Sequence, residues 1–128
     1  MNLLLDTHAL AWWVLDDTRL SATARNILGD PSNRVMASVV SAFEMATKHR
    51  LGKWPDIGDF VAEFEPAVAA EGFGILDVAA DHAVLAGSLP GAPRDPFDRL
   101  IAAQAIVGQM PVVTADAALA MLGARTLW

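Results

Sequence analysis

The chain contains no cysteine, so neither a disulfide framework nor a zinc–thiolate site is open to it. That absence is compatible with a reducing cytoplasm, the expected compartment. No uncharged stretch approaches membrane-spanning length; even Ile101 to Val113 contains Gln104, Gln109 and Pro111. The N-terminus lacks a basic start, and Asp6 and His8 interrupt its apolar run almost at once, so it does not read as a secretory signal. A glycine-rich phosphate cradle is also missing, because Gly87, Gly91 and Gly108 are scattered. Ser38 and Ser41 have no His/Asp arrangement to activate them.

What is present is a strongly apolar chain: 54% of the residues are hydrophobic, enough for a buried core and too many for disorder. The length of 128 residues suits one domain over 1–128. The formal net charge of −6 argues against a nucleic-acid partner. The argument weakens if the acids cluster around divalent cations, which would offset most of that charge. Lys48, His49, Arg50 and Lys53 lie close together, and Arg94 and Arg99 flank Asp95 and Asp98. Such basic rims around an acidic centre suit phosphates, although solvated surface charge explains each residue equally well.

Short apolar runs alternate with helical patterns. Leu3–Leu5, Arg34–Ser38, Gly74–Val78 and Pro111–Thr114 read as strands, with Arg125–Leu127 as a last edge strand. Helices are expected over Thr7–Leu15, from Ser21 to Leu28, over Ser41–Leu51, along a stripe of Phe60, Val61, Phe64 and Val68, from Asp81, over Pro96–Val107 and over Ala117–Leu122. Continuous apolar strands between helices predict an α/β fold with a central parallel sheet flanked by helices on both faces. Ligands of such sheets bind outside the carboxyl ends of the strands.

Four acids stand at or near that edge: Asp6 after Leu3-Leu4-Leu5, Glu44 in Ala42-Phe43-Glu44-Met45, Asp98 in Asp95-Pro96-Phe97-Asp98, and Asp116 after Val113-Thr114-Ala115. Each has a structural explanation of its own. Asp6 and Asp116 suit helix N-caps. Glu44 lies four residues before Lys48 and suits a surface pair worth about 0.3–0.5 kcal/mol. Asp95 suits the N-cap before Pro96, which leaves Asp98 surplus to capping. Taken together, four carboxylates beside apolar runs repel one another unless a cation lies between them. All-oxygen ligands without cysteine or a paired-histidine motif suit Mg²⁺ or Mn²⁺. Thr7 and Thr114 suit orientation of a water or ligand, or local backbone bonding. His8, one turn before Trp12, is expected to pack, and His49 and His82 to lie on helix surfaces. Trp12 and Trp13 suit core or a subunit interface.

These segments resemble a PIN-domain ribonuclease, and more closely the VapC-like toxin of a bacterial toxin–antitoxin pair. The resemblance is carried by Leu3-Leu4-Leu5-Asp6-Thr7-His8-Ala9-Leu10, Phe43-Glu44-Met45-Ala46-Thr47-Lys48, Asp95-Pro96-Phe97-Asp98-Arg99-Leu100-Ile101 and Val113-Thr114-Ala115-Asp116. It implies a PIN fold and matches Asp6, Glu44, Asp98 and Asp116 to the family's acidic metal-binding positions. It further implies a Mg²⁺- or Mn²⁺-dependent endoribonuclease leaving a 5′-phosphate and a 3′-hydroxyl, a homodimer, and neutralisation by a cognate antitoxin protein. In that mechanism the metal lowers the pKa of a water that attacks the phosphodiester in line. Arg99, Arg94 and Thr114 are the candidate contacts to the RNA substrate. The pattern departs from the family at Pro93-Arg94, where a histidine is often found, and at Leu119 and Met121, where bulkier residues are common. A PIN-like module that binds RNA or a partner without cutting is the alternative. A phosphatase using Asp6 as nucleophile is a weaker one, since His8 stands where a second acid is usual.

Overall fold

A computed structural model describes residues 1–128. Five strands, β1 (Asn2–Leu5), β2 (Arg34–Ser38), β3 (Gly74–Leu76), β4 (Val112–Val113) and β5 (Thr126–Leu127), form one sheet in the order β3-β2-β1-β4-β5. Every pairing is parallel. The chain leaves β1 to build β2 and β3 on one side and returns later to build β4 and β5 on the other. The order therefore reverses beside β1, and the β1/β4 boundary is the switch point where open α/β sheets hold their ligands.

Leu3, Leu4 and Leu5 are fully buried and alternate between the two faces. Leu3 and Leu5 join a core with Leu10, Leu20, Leu28, Met45 and Val68, under helices α1 (Thr7–Val14), α2 (Ala22–Gly29), α3 (Val39–Arg50) and α5 (Phe64–Ala70). Leu4 joins Ile101, Ala102, Val112 and Leu119, under α7 (Pro96–Gly108) and α8 (Ala117–Met121). This period-2 division of β1 covers both faces of the sheet with helices. No helix is long and apolar enough to cross a membrane.

Helix starts follow local chemistry. Ser21 Oγ accepts from the Ala24 N–H at 3.0 Å, and Ser38 Oγ accepts from the Val40 N–H at 3.0 Å. Capping by Ser38 starts α3 two residues earlier than the sequence predicts. Gly52, at φ +74°, turns the chain just past the end of that helix.

Two expectations are corrected. The Phe60-to-Val68 stripe is not one helix but two, α4 (Gly58–Ala62) and α5, after a single 3₁₀ turn at Pro55–Ile57. Pro66 has no N–H and its ring would collide with the Ala62 carbonyl in a continuous helix. The break falls at Glu63, with φ −122° and ψ 39°. The four stripe residues still pack on the core. His82, expected on a helix surface, is instead buried in α6 (Ala80–Ser88), where its Nδ1 accepts from the Ala79 N–H at 2.9 Å.

Candidate active site

Residue pairing across the sheet builds the site. Leu5 is in register with Val113, so Asp6 and Thr114, the next residue of each strand, meet at the carboxyl edge. Thr114 Oγ1 donates to Asp6 Oδ2 at 2.9 Å and accepts from the Asp116 N–H at 2.9 Å. One buried hydroxyl thus links two of the four acids. Asp6 occupies the N-cap position of α1 but its side chain caps nothing there. The capping explanation therefore fails for Asp6, which is only 4% exposed. Burial pushes its carboxyl above the usual carboxylate range, against the opposing pull of the Thr114 hydrogen bond.

Asp116 does cap its helix: its Oδ1 accepts from the Ala118 N–H at 2.9 Å. Asp95 caps α7, accepting from the N–H groups of Phe97 at 2.8 Å and Asp98 at 3.4 Å. Asp98 is left uncommitted in the first helical turn. Its pKa is pushed up to about 7, first by burial and then by the charges of Asp95, Asp6, Asp116 and Glu44. All four predicted site acids therefore feel one another through Asp98.

Glu44 faces inward, 3% exposed. The predicted pair with Lys48 exists, since Lys48 Nζ donates to Glu44 Oε2. It is no surface pair, however. Glu44 Oε1 is the one buried side-chain oxygen or nitrogen in the molecule without a hydrogen-bond partner. Burying an unpaired carboxylate oxygen is costly enough to call for an explanation. No three carboxylate or imidazole groups converge as a ready-made ligand shell. Lys48 holds one oxygen of Glu44, and Asp116 caps a helix. The donor set nonetheless fits a hard cation, being all oxygen, mutually repulsive at Asp98 and short of one partner at Glu44.

A second tier of polar contacts fixes the elements that carry the acids. Thr7 Oγ1 and Ser41 Oγ are hydrogen-bonded at 2.9 Å, tying α1 to the turn of α3 that precedes Glu44. Ser38 Oγ donates to Gln104 Oε1 at 2.6 Å, and Gln104 Nε2 donates to the Asp77 carbonyl at 3.2 Å. Gln104 thereby fastens α7, which carries Asp98, to the ends of β2 and β3. Sequence reasoning missed Gln104, whose only signal was an amide inside an apolar helix.

The two candidate arginines are placed differently. The Arg99 guanidinium donates to the carbonyls of Ala86 and Pro93, each at 2.8 Å, and to that of Leu89. It pairs with neither Asp95 nor Asp98, and it holds the 89–94 loop instead of facing outward to a phosphate. Arg94 is exposed on that loop. His8 packs as expected, stacked on Trp54 with centroids 5.0 Å apart. Trp13, expected in the core or at a subunit interface, packs against the core and on Phe73 and donates to Glu71 Oε2 at 3.0 Å.

Comparison with known proteins identifies the family. The PIN domain family matches residues 3–124. Ribonuclease VapC22 of Mycobacterium tuberculosis is 31% identical over 118 residues, covering 90% of this chain and 87% of the relative. Among solved structures, VapBC2 from Rickettsia felis, bound to a DNA fragment from its promoter, superposes with a TM-score of 0.69 at 16% identity, covering 99% of this chain and 98% of the other. VapC20 of M. tuberculosis, a sarcin-ricin loop cleaving toxin, superposes with a TM-score of 0.68 at 17% identity, covering 94% and 95%. The chain belongs to the PIN-domain family, among the VapC ribonucleases.

Proposed function

We propose that this chain is a Mg²⁺- or Mn²⁺-dependent endoribonuclease and the toxin of a toxin–antitoxin pair. The observation that carries the reading is the acid edge: Asp6 and Glu44 are buried, Glu44 Oε1 is unpaired, and Asp98 is raised by three other acids of the site. Helix capping does not explain the burial of Asp6, and the pair with Lys48 leaves Glu44 Oε1 without a partner. Its relative VapC22 is a ribonuclease, and its fold is shared with a toxin–antitoxin complex from Klebsiella pneumoniae and with a sarcin-ricin loop cleaving toxin.

Asp6, Glu44, Asp98 and Asp116 are the residues that would hold the cation. When bound, such an ion offsets phosphate charge and makes a nearby water more acidic. Thr114 orients Asp6 and keeps Asp116 within reach of it. Asp98, its pKa pushed up to about 7, changes its protonation near neutrality. Lys48 neutralises one oxygen of Glu44 before any ligand arrives, and Gln104 holds the helix of Asp98 in place. The cognate antitoxin is the protein partner of this reading, and a homodimer its assembly.

The test is cleavage of total cellular RNA by purified, antitoxin-free protein with Mg²⁺, Mn²⁺ or EDTA, beside Asp6→Asn. Discrete fragments that need both metal and Asp6 are expected. Metal-independent cleavage, or full activity in folded Asp6→Asn, would overturn the reading.

A further inference from the structure

The ion pair that holds Glu44 is half-built. Lys48 Nζ donates to Oε2, while Oε1, also buried, has no partner. A permanent buried ion pair needs further hydrogen bonds on its remaining lone pairs to offset the loss of water. Glu44 Oε1 has none, although the charge of this carboxylate is felt at both Asp6 and Asp98. Glu44 therefore belongs to the acid edge, yet a lysine occupies one of its oxygens.

The two partners are unequally fixed. The Glu44 side chain is 4% exposed and that of Lys48 is 30% exposed, so only the lysine has a way out. Lys48 opens onto a hollow of about 420 Å³ that Trp54 and Asp56 also line. Its ammonium stands 5.9 Å from the centre of the Trp54 ring, and an aromatic face already borders it. Asp56 is the one acid of that hollow, and it makes no ion pair. A lysine is a point charge on a flexible four-carbon stem, free to change partners as an arginine fork is not.

We propose that Lys48 is a placeholder cation. It holds Glu44 in the metal-free protein; when a divalent ion binds at the acids it yields Oε2 and turns into the hollow, between the Trp54 face and Asp56. The proposal rests on the metal-dependent reading above and adds to it how Glu44 is kept and then released. A buried carboxylate is thereby never left without a positive partner. An incoming ion must also displace an internal one, so it binds less tightly than four free carboxylates would allow.

The test is an ammonium-selective ¹H–¹⁵N NMR titration of the wild-type protein with Mg²⁺. The chain has two lysines, and Lys53→Arg, at an exposed position without an ion pair, assigns their signals. A paired, shielded ammonium exchanges its protons slowly enough to be seen. The Lys48 signal should be present before Mg²⁺ and vanish in step with saturation. Absence of that signal from the start, or its persistence at saturation, would overturn the proposal. Mn²⁺ titration followed by electron paramagnetic resonance adds a second readout. Lys48→Met, checked for folding by circular dichroism, should bind Mn²⁺ roughly fivefold more tightly than wild type, because no internal cation competes. Equal or weaker binding by the folded variant would overturn the proposal too, and the wild-type spectrum decides even where Lys48→Met fails to fold. No Mn²⁺ binding by the wild type would remove the metal-dependent reading as well, whereas ion binding beside an unmoved Lys48 removes the placeholder alone.

Discussion

The hydroxyl of Thr114 donates to Asp6 across 108 residues of sequence, at 2.9 Å. It joins the ends of β1 and β4 at the point where the strand order reverses. The same oxygen receives the Asp116 N–H, so a single side chain sets two acids of the site.

Thr114→Val keeps the volume and removes both bonds. Leaving buried groups unpaired costs about 1–3 kcal/mol, so the melting temperature should drop by several degrees. RNA cleavage should fall at least tenfold, and Thr114→Ser should restore it. A destabilised Thr114→Val enzyme with unchanged activity at permissive temperature would reduce Thr114 to a packing role.

Asp98 gives a pH prediction. Its folded-state pKa of about 7 lies above the ordinary 3.8, so the folded metal-free protein binds the extra proton between those values. Stability should therefore fall as pH rises through about 4 to 7 and level off above. Asp98→Asn cannot ionise. Its advantage over wild type should be absent below pH 4, grow through that window and persist at pH 8. Because Asp98 is only half-buried, solvent screening reduces the expected gain to about 1–2 kcal/mol, or roughly 3–6 °C. Metal-free thermal melts from pH 4 to pH 8 measure it, and an equal or lower melting temperature at pH 8 would deny crowding among the acids.

Lys48 is the internal counter-charge of Glu44. Lys48→Met leaves that buried carboxylate without a cation and should destabilise the metal-free protein by about 1–3 kcal/mol, less than a fully buried pair because Lys48 is partly exposed. Adding Glu44→Gln should recover most of the loss. The double-mutant cycle in urea checks this, and additive effects would show that the pair is not coupled.

Arg99→Lys keeps the charge but replaces a fork that reaches three carbonyls with one point donor. Hydrogen exchange should quicken in residues 89–95, while the salt dependence of RNA binding stays as in wild type. A shallower salt slope would return Arg99 to the phosphate contact that the sequence suggested.

The sequence disclosed what short-range chemistry determines. Leu3–Leu5, Arg34–Ser38 and Pro96–Val107 were legible because apolar runs, caps and glycines act within a few residues, and Asp95 was legible as a cap because an Asp there precedes Pro96 at the first helical position. The break at Glu63 was legible in principle, through Pro66, but the apolar stripe masked it. The burial of Glu44 was not legible, since a solvent-facing pair with Lys48 uses the same four-residue spacing. Nor was Gln104, whose partner Ser38 lies 66 residues away, or the commitment of Arg99 to carbonyls of a loop. Those contacts exist only once the sheet has brought distant segments to one edge.

The central claim is that these four acids hold a divalent cation. Mn²⁺ titration of the purified, antitoxin-free protein, followed by electron paramagnetic resonance of the free ion, tests it most directly. The account predicts saturable binding that weakens at least tenfold in each of Asp6→Asn and Asp98→Asn, with both variants folded. Binding that survives both substitutions, or no binding by the wild type, would contradict it.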